Sequence, residues 1–438
     1  MLRKSVVGLS VATLAVAMAG LLSGVPGAWA QDTKPVKVGI VTFLSGPASG
    51  PFGIPARNGA ELIIEAVNAG TLPAPYNTKG LAGAPIETIM TDEAGSTTKV
   101  VQDFRALVDR QGADAIVGYV SSGNCLAVAP VAEEVKALTV FFDCGTPRIF
   151  EDASYKYVFR SAAHATIDSV AAALYMKAKF PKLSVYGGIN QNYAWGQDSW
   201  RDFVGAMKVL NPSSKVTTEQ FPKIFAGQFS AEISALQTSG SEFIHSSFWD
   251  GDLESFLFQA TARGLAKQSV LVLTAAEANM FRLGAKMPDG VVIGGRGPYG
   301  LLAADSPLNQ WLRKAYYDRY NVPPTYPVYH MGNALLALKI GYDKAAAANG
   351  GKMPDKDQVV AALEHMEYDG FGTKVKFSLG KGHQATTGHA YGMYKFDKAA
   401  SEATIVDVIH FDAECVNPPE GVKAEDWLAG GMKGAKCK

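Results

Sequence analysis

The chain carries little charge for its length. Of 438 residues 19% are charged, and 41 basic residues balance 41 acidic ones. A broad nucleic-acid footprint needs a basic excess, so that class of partner is not expected. There is no block of like charges and no polybasic tail. Cysteine is scarce: only Cys125, Cys144, Cys415 and Cys437 occur, with no C-x-x-C. That removes the zinc-ribbon and thioredoxin readings. After residue 30 no apolar run reaches the roughly 18 residues of a spanning helix. G-x-S-x-G, H-E-x-x-H and Walker A sequences are also missing. None of the seven histidines pairs with a second ligand type at metal-binding spacing, and His383 and His389 read as members of a solvated Gly/Thr loop. Neither a metal nor a cofactor is expected.

Apolar residues are plentiful. Hydrophobic residues make up 47% of the chain and aromatics 10%, enough to form packed cores rather than a disordered chain. The length suits two or three domains. The first thirty residues differ in kind. Arg3 and Lys4 precede a small apolar run from Val6 to Leu22, and Ala28-Trp29-Ala30 offers an A-x-A site. This reads as a secretory signal peptide cleaved after Ala30. Export implies an oxidising compartment. Four cysteines allow three connectivities, of which the spacing favours Cys125–Cys144 and Cys415–Cys437.

After Gln31, strand and helix patterns alternate. Val36–Phe43 reads as a buried strand, and Ala56, Ala60, Ile63, Ile64 and Val67 share one helical face. Ile86–Thr91, Ala115–Val117 and Leu138–Phe142 read as further strands. Ser96 caps a helix with Val100, Phe104 and Leu107 on its apolar face. A second series of the same kind runs from about 165 to 274. Two βα series imply two lobes, each a parallel sheet covered on both faces. Residues 412–438 read as a disulfide-stapled tail.

Ligands of open α/β sheets gather at the carboxyl ends of strands. Gly118-Tyr-Val-Ser121-Ser122 and Asp143-Cys-Gly145-Thr146 place hydroxyls and backbone N–H groups just before helices, a setting that suits a carboxylate. The same hydroxyls of Ser122 and Thr146 would serve as plain N-caps. Asn190 to Gly196 and Phe248-Trp249-Asp250 are the matching loops of the second series. Gly295-Arg-Gly297-Pro-Tyr-Gly300 is a literal G-x-G-x-x-G, but no helix opens at its turn, and it reads as a connection between lobes. Asp92-Glu93 reads as loop or helix-entry acids.

Phe43-Leu-Ser-Gly-Pro47, Gly118-Tyr-Val-Ser-Ser122, Gly145-Thr146, Tyr193-Ala-Trp-Gly196 and Ala260-Thr-Ala-Arg-Gly-Leu265 resemble the Leu/Ile/Val-binding protein family. These are periplasmic substrate-binding proteins of ABC transporters. The resemblance covers nearly all of the mature chain. It implies an α/β Venus-flytrap, two doubly wound parallel-sheet lobes joined by three crossovers near Arg160, Gly294–Gly297 and Gly388–Met393. Residues 31–160 and 296–388 would form lobe 1, and 161–295 and 389–411 lobe 2. It implies a periplasmic, non-enzymatic monomer that holds a small carboxylate, an amino acid or an aromatic acid, and presents it to a membrane permease. Ser122 and Thr146 would hold the carboxylate, beside backbone groups of Ser121 and Gly145. Phe52, Trp195 and Trp249 would supply flat walls, and Asp250 or Glu277 would meet an ammonium. The aromatics favour a larger or aromatic acid over leucine. Two other readings share these residues: a sensor of the same fold acting through a signalling partner, and a secreted enzyme using Asp92, Glu93 or Asp250 as acid and base.

Overall fold

A computed structural model describes residues 34–437; the expected signal peptide lies outside them. The chain first lays down β1 (Val36–Thr42), β2 (Ile86–Asp92), β3 (Ala115–Gly118), β4 (Leu138–Phe141) and β5 (Val158–Arg160). It then builds β6 (Val185–Ile189), β7 (Lys215–Gln220), β8 (Phe243–Ser246), β9 (Val270–Leu273) and β10 (Val292–Gly294). It returns for β11 (Glu367–Asp369), β12 (Lys374–Leu379) and β13 (Gln384–Thr386), and crosses again for β14 (His389–Asp397) and β15 (Glu402–Phe411). The first sheet has the order β11-β12-β13-β5-β4-β3-β1-β2, and the second β15-β14-β10-β9-β8-β6-β7. β1 to β5 pair in parallel, as do β6 to β10; β11–β12, β12–β13, β10–β14 and β14–β15 are antiparallel additions.

The alternation of side chains explains the layering. In β1, Val36, Val38 and Ile40 enter a core formed with the helices Ile54–Ala69 and Tyr326–Ala348, while Val41 enters the opposite core with Phe104, Leu107 and Val128. In the second sheet Phe243 and Val272 face Phe203 and Trp427, whereas Ile244, Leu271 and Leu273 face Phe256 and Leu257. Each sheet is thus covered on both faces, as parallel sheets require. Among the described residues no helix is long and apolar enough to cross a membrane.

One expectation fails here. His383 and His389 are not in a solvated loop: both are buried, His383 stacked on Phe159 at 4.2 Å and His389 opening β14. His383 precedes the three-residue β13, too short for a periodic signal, and β14 opens with four consecutive buried residues and so shows no alternation there.

The tail after β15 forms two short helices, Ala413–Val416 and Ala424–Ala429. Trp427 and Leu428 pack into the second lobe's core. Lys423 pairs with Asp152 at 2.8 Å, and the Ala424 N–H donates to Glu151 at 2.9 Å, both on the first lobe. Cys415–Cys437 closes this segment, and Cys125–Cys144 is the other bridge. The double variant Cys415→Ser/Cys437→Ser is expected to lose about 2–4 kcal/mol of stability, from the loop-closure entropy restored to the unfolded chain. Urea unfolding checks this; a midpoint equal to that of the parent would refute it.

Candidate functional site

The site begins at the carboxyl end of β3. Glu93 is fully buried there, and its carboxylate accepts the N–H groups of Val120 (2.8 Å) and Ser121 (2.9 Å) and the Asn124 amide (3.0 Å). Burial pushes its pKa up to about 8 against those three bonds. Asp92 accepts from the Leu44 and Ala94 N–H groups and from the Ser45 hydroxyl. Both acids therefore order loops, and Glu93 occupies the start of the helix Ser122–Glu134. The Ser121 N–H, expected to face a ligand, is already committed to it.

Ser122 does not cap its helix. Its Oγ accepts the N–H groups of Gly145 and Thr146, each at 3.1 Å, which joins the β3 loop to the β4 loop. The Cys125–Cys144 disulfide joins the same two segments covalently. Because Oγ serves as acceptor in both bonds, its proton remains to be donated. Thr146 turns the other way. Its hydroxyl donates to Asp198 Oδ2 at 2.6 Å, and Arg148 pairs with Asp198 Oδ1 at 2.6 Å. Asp198 lies on the helix Ala194–Leu210 of the second lobe, so Thr146 clamps the lobes and does not reach the cavity.

A cavity lies between the sheets, lined by Val120, Ser122, Asp143 and Gly145 on one side and Tyr193, Trp195, Trp249 and Ala275 on the other, with Arg296 and Tyr326. About 10 Å³ of it admits a water-sized sphere, room for roughly one water molecule. The lobes are closed on each other. Phe52 stands behind Trp249 in an edge contact at 5.7 Å, and Phe43 meets Trp249 at 5.9 Å. Trp195 donates its indole N–H to Ser247 O at 2.9 Å, and Trp249 donates to the Tyr193 hydroxyl at 2.8 Å. Both indoles thus keep a polar partner while presenting apolar faces. Gly145 is required for this closeness: a Cβ there would lie 2.1 Å from Trp195 Cε3.

Sequence reasoning missed Arg296, which it assigned to a plain connection. Arg296 is buried, and its guanidinium lies 4.4 Å from the Trp195 ring centre. It donates to Asp143 Oδ1 at 2.6 Å, to Asp168 Oδ2 at 3.2 Å and to the carbonyl of Ala163 at 2.9 Å. His330 Nδ1 shares Asp143 Oδ1 at 2.6 Å, and His389 Nε2 meets Asp168 Oδ1 at 2.8 Å. Burial alone would lower the Arg296 pKa; Asp143 and Asp168 outweigh it and hold the guanidinium above its ordinary value. The one available signal was a charged residue placed between two glycines at the end of an apolar strand.

The two acids expected to meet an ammonium point elsewhere. Asp250 opens the helix Asp250–Ala262 with a positive φ of 59°. Its carboxylate accepts the Asp252 N–H and the Gln191 amide, and burial followed by the Asp252 charge raises its pKa well above the ordinary value. Glu277 accepts the Tyr326 N–H at 2.7 Å, and its other oxygen has no hydrogen-bond partner. Neither lines the cavity, whereas Asp143 does. The structure therefore brings Ser122, Gly145, Trp195 and Trp249 together, keeps Phe52 behind them, and turns Thr146, Asp250 and Glu277 away.

A protein-family model described as periplasmic binding protein matches residues 35–400. No curated protein matches the chain in sequence. Among solved structures, a solute-binding protein of an ABC transporter from Rhodopseudomonas palustris BisB5, in complex with 3,4-dihydroxybenzoic acid, is 18% identical with a TM-score of 0.73, over 86% of this chain and 98% of that one. A second R. palustris solute-binding protein, in complex with 4-hydroxybenzoate, is 18% identical with a TM-score of 0.74, over 86% and 97%. A leucine-binding protein from Thermotoga maritima is 18% identical with a TM-score of 0.71, over 85% and 98%. At these identities the likeness shows the shared fold.

Burial raises the Glu277 pKa from 4.5 to about 8. The folded chain then holds a proton that the unfolded chain releases, so this group lowers stability as pH rises from about 4.5 towards 8. Glu277→Gln removes that dependence. Its stability advantage over the parent is expected to grow between pH 5 and pH 8 in urea unfolding; parallel pH profiles would refute the assignment.

Proposed function

The chain belongs to the periplasmic binding protein family, and from that premise we propose that it captures a small carboxylate-bearing solute, an amino acid or an aromatic acid, and delivers it to the membrane permease of an ABC transporter. The observation that carries this reading is the cavity between the two sheets, with a hydroxyl donor, Ser122, at one end and indole faces, Trp195 and Trp249, along its walls. Such a site pairs orientation by a few polar groups with burial of a flat apolar body. The proposed moving bodies are residues 31–160 with 296–388, and 161–295 with 389–411, the tail from 412 strapping both. Opening would admit the solute. Closure would set its carboxylate on the Ser122 hydroxyl and its body between the tryptophans, and would present the joined lobe surfaces to the permease. The site of action would be the periplasm, and the working form a monomer.

Isothermal titration with leucine, 4-methylpentanoate, benzoate and 4-hydroxybenzoate tests the reading, alongside native mass spectrometry of the protein as purified. At least one acid is expected to bind with quenching or shift of tryptophan fluorescence. Ser122→Ala removes a hydrogen bond to a charged group, worth about 1.5–3 kcal/mol, and is expected to weaken that acid roughly tenfold or more. Absence of binding by every acid, or conversion of a bound acid to product, would overturn the proposal.

A further inference from the structure

The polar floor of the cavity is not a bare cation. Arg296 and Asp143 both line it, and they form one ion pair at 2.6 Å. Both side-chain bonds to Asp143 fall on Oδ1, one from Arg296 and one shared with His330. Its Oδ2 takes part in neither. Tyr326 stands beside this pair, its ring in edge contact with His330 at 5.2 Å. Tyr326 is 1% exposed and lines the cavity, and its backbone N–H is held by Glu277. A tyrosine lining the cavity beside this ion pair is a candidate contact for a bound molecule.

We propose that Asp143 Oδ2 and the Tyr326 hydroxyl are the specificity determinants of this site, and that they select acids which also carry a hydrogen-bond donor, an ammonium or a hydroxyl. A pure carboxylate meets Ser122 but offers no donor to Asp143 Oδ2 and no second polar group to the Tyr326 hydroxyl. Sites built to bond a polar group discriminate strongly against analogues that lack it, for this reason. Asp143 takes the role that residue type alone suggested for Asp250 and Glu277. The inference rests on the reading that a carboxylate-bearing solute is captured here.

The test compares two pairs that differ by the donor: leucine with 4-methylpentanoate, and 4-hydroxybenzoate with benzoate. Titration of the parent protein is expected to favour the donor-bearing member of at least one pair by tenfold or more, and the pair that discriminates identifies the donor as ammonium or hydroxyl. Asp143→Asn is expected to erase that preference. Tyr326→Phe removes the hydroxyl but keeps the ring that packs on Phe52 and His330, so the fold should survive while the donor-bearing acid weakens several-fold. Because this second variant keeps the Asp143–Arg296 pair, it decides the question even if Asp143→Asn does not fold. Equal affinities within both pairs would overturn this inference and leave carboxylate capture standing, as would a Tyr326→Phe variant that keeps the parent's affinity and preference. Failure of all four acids to bind would overturn the capture reading, and this inference with it.

Discussion

The guanidinium of Arg296 ties together all three passages of the chain between the sheets. Arg296 lies on the second passage, just after β10. Its donation to the Ala163 carbonyl holds the first, just after β5, and its bond to Asp168 reaches the third through His389 at the start of β14. Its bond to Asp143 fixes the loop after β4, which carries Gly145. Removing one partner of a buried pair of this kind typically costs about 3–5 kcal/mol, since the other charge is left unpaired. The relative placement of the Ser122–Gly145 wall and the Trp195 wall depends on this one group.

Around that knot the two lobes meet through contacts of different character. Asp198 receives Thr146 and Arg148 from across the lobe boundary. Phe43 and Phe52 meet Trp249 at the cavity's edge. Apolar contacts of this kind are non-directional and separate at a cost that scales with area, whereas charge-assisted bonds hold a fixed geometry. A two-lobed binding protein needs both: separable faces where solute enters, and a directional joint about which the lobes turn. The tail adds a third link, with Trp427 anchored in one lobe and Lys423 and Ala424 bonded to the other.

The acids that an enzyme reading would use are engaged in hydrogen bonds within the protein. Asp92 and Glu93 are consumed in ordering loops, and Asp250 is bonded to the backbone of its own helix. The binding reading draws instead on groups that line the cavity, namely Ser122, Asp143 and Tyr326.

Periodicity carries local information, and it was enough for the layers. The alternation of Val36, Val38 and Ile40, the helical spacing of Val100, Phe104 and Leu107, and the two βα series are properties of short windows, and they led to two covered parallel sheets. The loops around Ser122 and Gly145 were legible because the ends of parallel strands collect polar and glycine residues for a general reason. Direction of side chains within the site was not legible. Arg296 finds Asp143 and Asp168 at separations of 153 and 128 residues, and Thr146 finds Asp198 at 52. No local pattern encodes such a pairing; it follows from how the crossovers stack the two sheets. Residue type made Asp250 and Glu277 plausible partners for an ammonium, but a positive φ at one and a bond to the Tyr326 backbone at the other turn both away. Burial and backbone direction set which carboxylate faces the cavity, and those exist only once the lobes are packed.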